Sequence, residues 1–104
     1  MEGGAAHLEQ WERVKVMEES CNQASAALKA LEAALSQVQT ALPALRALDA
    51  YLGSPEWHQD RADDEAGAFP PQLRRGVLSE DTIYDLLTDY RELREQALSL
   101  PEEL

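Results

Sequence analysis

The densest group of side chains able to do chemistry is Glu56, His58, Asp60, Asp63, Asp64 and Glu65. On a helix, Glu56, Asp60 and Asp63 or Asp64 share one face, and carboxylates so placed can hold Mg²⁺ or Ca²⁺. The calcium-loop pattern fails: counting Asp60 as its first position, Ala62 stands third, and the glycine falls at Gly67, two residues late. A di-iron bundle needs Glu-x-x-His pairs, and neither His7 nor His58 has a glutamate three residues before it. The preferred reading is a solvated acidic face with one carboxylate tying down Arg74 or Arg75, and no metal or cofactor is expected.

Other chemistries are less well supplied. All-helical phosphate-hydrolysing enzymes hold Mg²⁺ with Glu-x-x-Glu and Glu-x-x-Asp pairs. Glu9-x-x-Glu12 and Glu92-x-x-Glu95 have the first spacing, but no Glu-x-x-Asp completes the set. Cys21 falls within an apolar series and reads as a small buried hydrophobe rather than a nucleophile. No serine lies in a strand–turn–helix elbow, and there is no glycine-rich phosphate loop. Arg74-Arg75-Gly76 could clamp an anion at a helix N-terminus, yet Glu80 and Asp81 already occupy that positive end. Trp11 and Trp57 could each anchor a partner; for Trp57, packing is the stronger expectation.

These side chains must be positioned by helices. Val14, Cys21, Leu28, Leu35 and Leu42 lie seven apart, as do Met17, Ala24, Leu31, Val38 and Leu45. The two series interleave as 3 then 4, an a/d seam of about four and a half heptads that keeps one helix face against a partner. Ala27, Ala34 and Ala41 run beside it and permit close approach. Pro43 removes the bond to the Gln39 carbonyl, but no turn-former flanks it, so a kinked continuation through Leu45, Leu48 and Leu52 is preferred over a break.

Gly53-Ser54-Pro55-Glu56 then stops that helix and starts a short acidic one, from Pro55 to about Ala66, with Gly67 as its end. The stretch AFPPQLRRG is expected to be irregular around Pro70-Pro71. Ser79 should cap the last helix, with Leu78 and Ile83 as a hydrophobic staple. Ile83, Leu86, Leu87, Tyr90, Leu93, Ala97 and Leu100 trace one face toward a stop at Pro101. No segment alternates with period two, so no sheet is expected.

At about 1.5 Å per residue, Val14–Leu45 spans roughly 48 Å and Glu80–Leu98 only about 28 Å. The shorter helix cannot cover the longer seam, which leaves the Pro55–Ala66 helix or a second chain to do so. A homodimer through the long helix is the favoured outcome.

The 104 residues carry 9 basic and 20 acidic side chains, a net charge of −11. This balance argues against nucleic acid or an anionic membrane as the main partner, although an acidic regulator that mimics nucleic acid stays open. A single cysteine excludes an intrachain disulfide, which fits a reducing cytoplasm. MEGGAAHLEQWE lacks the basic start and apolar run of a signal peptide, and no stretch is apolar enough to span a membrane.

The run from Tyr51 to Leu87, YLGSPEWHQDRADDEAGAFPPQLRRGVLSEDTIYDLL, resembles a family of small bacterial proteins catalogued as domain of unknown function 4298. Its pattern of an aromatic pair, S-x-E-W-x-x-D, G-x-x-P-x-x-L-x-R-G-V-L-S-E-D and I-Y-x-L-L is met by Ser54, Glu56, Trp57, Asp60, Gly67, Pro70, Leu73, Arg75, Gly76, Val77, Leu78, Ser79, Glu80, Asp81, Ile83, Tyr84, Leu86 and Leu87. Leu52 stands where the second aromatic is expected. The resemblance covers about a third of the chain and implies a compact helical domain with no assigned activity. It also suggests a junction in which Arg75 pairs with Asp60 and Trp57 packs under Leu78 and Tyr84.

The expectation is therefore an all-α protein of one domain over residues 1–104, with about 1–6 disordered and 101–104 a tail. It comprises a long kinked amphipathic helix, a short acidic helix, an irregular Pro-rich loop and a C-terminal helix packed back. Its expected role is a non-enzymatic, self-associating cytoplasmic adaptor or scaffold, with a small metal-dependent hydrolase as the alternative. The candidate binding residues are Trp57, Asp60, Arg75, Gly76, Asp81 and Tyr84.

Overall fold

A computed structural model describes the backbone of residues 2–104 and the side chains of residues 7–104. Met1 and the side chains through Ala6 lie outside the described residues; the backbone of residues 2–6, within the stretch expected to be disordered, is helical as the start of α1. The fold is all-α: α1 (Glu2–Tyr51), α2 (Pro55–Glu65), a short 3₁₀ turn (Gly76–Leu78) and α3 (Glu80–Leu98), with no strand among the described residues. The chain divides into two compact units, residues 1–41 and 42–104. No helix is long and apolar enough to cross a membrane.

The first unit is a stretch of α1. Every residue from 7 to 41 is exposed, and this includes Cys21, which is not the buried hydrophobe that its place in the apolar series suggests. Heptad spacing reports which face of a helix is apolar; it does not say that the same chain supplies a cover.

The second unit begins in the last turns of α1, which continue helically through Pro43. The lost donor leaves the Gln39 carbonyl without its helical partner, but Gln39 and Pro43 are both exposed, so water can serve it. Gly53, at φ +77°, ends α1 in the left-handed conformation that a residue without Cβ adopts at least cost. Ser54 follows in an extended conformation, and its Oγ accepts a hydrogen bond from the Trp57 backbone N–H at 3.1 Å. Pro55 occupies the first helical position, where no donor is needed.

At the other end of α2, the Ala68 N–H donates to the Asp63 carbonyl and the Gly67 N–H to the Asp64 carbonyl, both at 3.0 Å. That pair is the Schellman pattern, with Gly67 at φ +77° as its left-handed residue. Residues 68–75 are irregular, as Pro70-Pro71 requires, and then tighten into the 3₁₀ turn, which sequence patterning did not anticipate. Ser79 sits at the N-cap of α3 with an extended backbone, but its hydroxyl makes no capping bond. Glu80 and Asp81 in the first turn supply the negative charge there instead.

The core of this unit is small: Trp57 and Ile83 are 1% exposed, Leu78 and Leu87 8%. The staple residues Leu78 and Ile83 are thus both core residues. The apolar face read along α3 is buried only in its first half. Leu86, Leu93 and Leu100 are 44–62% exposed, and Ala97 is exposed. The face is apolar by periodicity, but its last turns are exposed.

Candidate functional site

Within residues 42–104, α2, the proline loop and the start of α3 meet around Trp57. Its indole Nε1–H donates to the Val77 carbonyl at 2.9 Å, which satisfies the one polar atom of an otherwise apolar side chain. The Arg61 guanidinium lies 5.3 Å from the centre of the Trp57 ring, within cation–π range. One helical turn separates these two residues, so α2 itself places the cation over the ring. Arg61 Nη1 also reaches Glu80 at 3.2 Å, and Nε lies 3.6 Å from Glu65. His58 meets Trp57 edge to face, with ring centroids 5.0 Å apart.

Arg75 organises the loop. Nη1 donates to Asp64 Oδ1 at 2.5 Å, Nη2 to the Pro70 carbonyl at 2.6 Å and Nε to the Leu73 carbonyl at 3.3 Å. A planar fork of donors suits this, because the proline pair leaves loop carbonyls that no helix or sheet will use. The expected Arg75–Asp60 pair is therefore corrected to Arg75–Asp64. Asp60 and Asp64 are one turn apart on the same face of α2, and the route of the loop selects the later one. Asp60 instead accepts the Tyr51 hydroxyl at 2.6 Å, tying the end of α1 to the middle of α2.

Arg75→Ala should lower the stability of this unit by about 2 kcal/mol, since charge-assisted bonds are lost but the pair is partly solvated. In a unit of this size that corresponds to a fall of roughly 10 °C in melting temperature. Arg75→Lys should recover little, because an ammonium cannot span three acceptors held by a planar fork. Thermal melts of the two variants check both statements.

The Tyr51 phenol is pushed up from 10.0 to about 12, first by its hydrogen bond to Asp60, then by burial and by the carboxylate's charge. A phenol whose folded pKa is raised contributes stability in full below pH 10 and loses it as pH climbs through 12. An alkaline absorbance titration should contain a late phenolate component near pH 12 that Tyr51→Phe removes. A titration unchanged by that substitution would refute the assignment.

Of the six candidate residues, Asp60 and Arg75 line one cleft and the others do not. Trp57 is buried and committed to packing, while Asp60 and Arg75 are half-buried and held by Tyr51 and Asp64 respectively. Gly76 opens the 3₁₀ turn, and a Cβ there would meet nothing within 4 Å. Asp81 and Tyr84 face solvent, Tyr84 at 61% exposure, so it does not form the expected wall over Trp57. A shallow cleft of about 200 Å³ lies between Tyr51, Asp60, Phe69, Leu73, Arg75 and Leu78. A second, of about 190 Å³, lies between Leu42, Leu45, Arg46, Leu87, Tyr90 and Arg91. Among the described residues, no three His, Cys, Asp or Glu side chains gather as metal ligands would.

Sequence reasoning missed Arg61 and the Tyr51–Asp60 bond; Asp64 stood in the acidic group of which one carboxylate is expected to tie down Arg74 or Arg75, and it is the one that does. Only Arg61 had a local signal, its place one turn after Trp57. The larger surface with functional character is the seam on α1. Val14, Met17, Leu28, Leu31, Leu35 and Val38 are 38–66% exposed there, a row of large apolar side chains on one helix. Single exposed apolar residues are ordinary; Leu8, Trp11 and Val16, off the seam, are exposed as well.

No curated protein and no solved structure matches the chain. The family model described as Domain of unknown function (DUF4298) matches residues 14–100, a span that takes in both the seam from Val14 and the whole Trp57 junction. Since that span is most of the 104 residues, the chain belongs to this family.

Proposed function

We propose that this protein is a non-enzymatic helical interaction module that self-associates through the seam of residues 14–45 and works in the cytoplasm as an adaptor or scaffold. The observation that carries this reading is the row of exposed a/d side chains, Val14 to Val38, on an unbroken helix. A second copy offers the same apolar stripe with the same 3-then-4 spacing, which is what knobs-into-holes packing requires of a partner. The polar groups of the Trp57 junction support the non-enzymatic part: Asp60 and Arg75 line one shallow cleft, but Asp60 is held by the Tyr51 hydroxyl and Arg75 by Asp64 and the Pro70 carbonyl. The lone cysteine supports a compartment in which thiols stay reduced.

Light-scattering mass of the purified chain, with and without millimolar Mg²⁺, tests the reading. A mass near twice 11.6 kDa that metal does not alter is expected. A monomer at all concentrations refutes self-association. A gain in stability with Mg²⁺ refutes the non-enzymatic reading and turns attention to phosphate esters, since a ligand stabilises only the state that binds it.

A further inference from the structure

The heptad seam admits two polarities, and its side-chain sizes distinguish them. In a parallel, in-register pair every layer is symmetric: Cys21 meets Cys21 and Ala24 meets Ala24. Two thin layers then fall next to each other in the middle of the seam, leaving a void that Leu28 and Met17 on either side cannot fill. In an antiparallel pair each a residue meets a d residue of the other copy, so small can face large.

We propose that two copies of this chain pair antiparallel along residues 14–45, in the register that sets Cys21 opposite the partner's Val38. This rests on the self-association reading above and adds its geometry. The remaining layers are then Val14 against the partner's Leu45, Met17 against Leu42, Ala24 against Leu35 and Leu28 against Leu31, each occurring twice about the two-fold axis. Both thin residues of the seam are compensated by a branched residue across from them. Leu42 and Leu45 are half-buried and also line the cleft with Leu87 and Tyr90, so the two outermost kinds of layer offer the partner only part of those side chains.

The flanking positions choose this register over its neighbours. Here the row of small residues faces itself, with Ala27 beside the partner's Ala34 and Ser20 beside its Ala41, which lets the helices approach closely. On the other flank Glu18 lies nearest the partner's Gln39 and Ser25 nearest its Glu32. Sliding one heptad in one direction sets Glu18 beside the partner's Glu32, and in the other direction sets the two Glu32 side chains together. Either slide leaves eight of the ten layers and adds like-charge repulsion.

Net charge points the same way. Up to Ala41 the chain carries six acidic and three basic residues, and beyond it fourteen and six. A parallel pair brings the strongly acidic halves of two chains to the same end of the seam, whereas an antiparallel pair sends them to opposite ends.

Thiol cross-linking tests the register directly, because Cys21 is the only cysteine and is exposed in the single chain. In the proposed pair the two Cys21 residues lie seventeen positions apart along the seam, about 26 Å at 1.5 Å per residue. Treated with a short bis-maleimide, the wild-type dimer should therefore give almost no covalent dimer. Val38→Cys should give roughly tenfold more, through Cys21 of one copy and the new thiol of the other, since only closely apposed thiols can be bridged. Cys21→Ser combined with Val38→Cys should return to the wild-type level. Efficient cross-linking of the wild type, or of the double variant, would overturn the proposal in favour of a parallel pair. A dimeric Val38→Cys protein that does not cross-link would overturn the register. Light scattering on the same samples shows whether a dimer is present, so a monomer is recognised as failure of the self-association reading itself.

Discussion

Trp57→Ala should destabilise residues 42–104 by about 3–5 kcal/mol, the largest loss expected of any single substitution in this unit. Trp57 is one of four buried apolar side chains in a unit of this size, and it is 1% exposed. Truncating a buried tryptophan costs about 3–5 kcal/mol through lost transfer energy and the cavity left behind. The change also strips the Val77 carbonyl of its donor and the Arg61 guanidinium of the ring beneath it. At about 0.05–0.15 kcal/mol per residue, the unit's total stability is roughly 3–9 kcal/mol, so this one loss takes from about a third to all of it. Trp57→Phe separates the two contributions. It keeps most of the apolar contact and removes only the donor, for an expected cost of about 1–2 kcal/mol. Urea unfolding followed by circular dichroism, with amide exchange assigning the loss to α2 and α3, reads both variants. A Trp57→Ala midpoint close to wild type would mean that the core lies elsewhere.

The burial of Trp57 could be read in the sequence because its surroundings are local. Ser54 caps the turn that begins α2, Pro55 starts the helix, and Trp57 then falls on the inner side of a helix two residues later. The bounds of α3, the glycine stops at Gly53 and Gly67 and the continuation through Pro43 rest on the same kind of short-range chemistry. What could not be read was any choice between equivalent residues. Asp60 and Asp64 stand on one face of α2, and only the path of the loop from Phe69 to Arg75 decides that Arg75 takes the second while Tyr51 takes the first. Periodicity likewise marked Leu93, Ala97 and Leu100 as apolar-facing, yet all three are exposed. The seam of α1 is the same case on a larger scale. Its spacing was plain, and spacing alone does not name what covers it.

Replacing Leu28 and Leu31 by glutamate should convert the protein from dimer to monomer while leaving the melting of residues 42–104 unchanged. In the single chain Leu28 is 66% exposed and Leu31 38%, so little folding energy within that chain depends on them. In the proposed pair they face one another at the two-fold axis, and the double variant sets four carboxylates around it. Burying a fully exposed leucine stabilises by about 1.5–3 kcal/mol, and on average about half of each of these four is left to bury, so together they account for roughly 3–6 kcal/mol of association. Losing that weakens dimerisation by about 10²–10⁴-fold before charge repulsion is added. Sedimentation at micromolar concentration should then give 11.6 kDa for the variant and twice that for the wild type. The helix adds an independent readout. A long helix with an unburied apolar stripe is marginal alone in water, because helical stability in proteins comes mostly from packing such a face. The wild type should therefore lose helical signal on dilution through its dissociation constant, and the glutamate variant should lack that concentration dependence. If the variant stays dimeric, or the wild-type helical signal is indifferent to dilution, α1 is not the assembly surface.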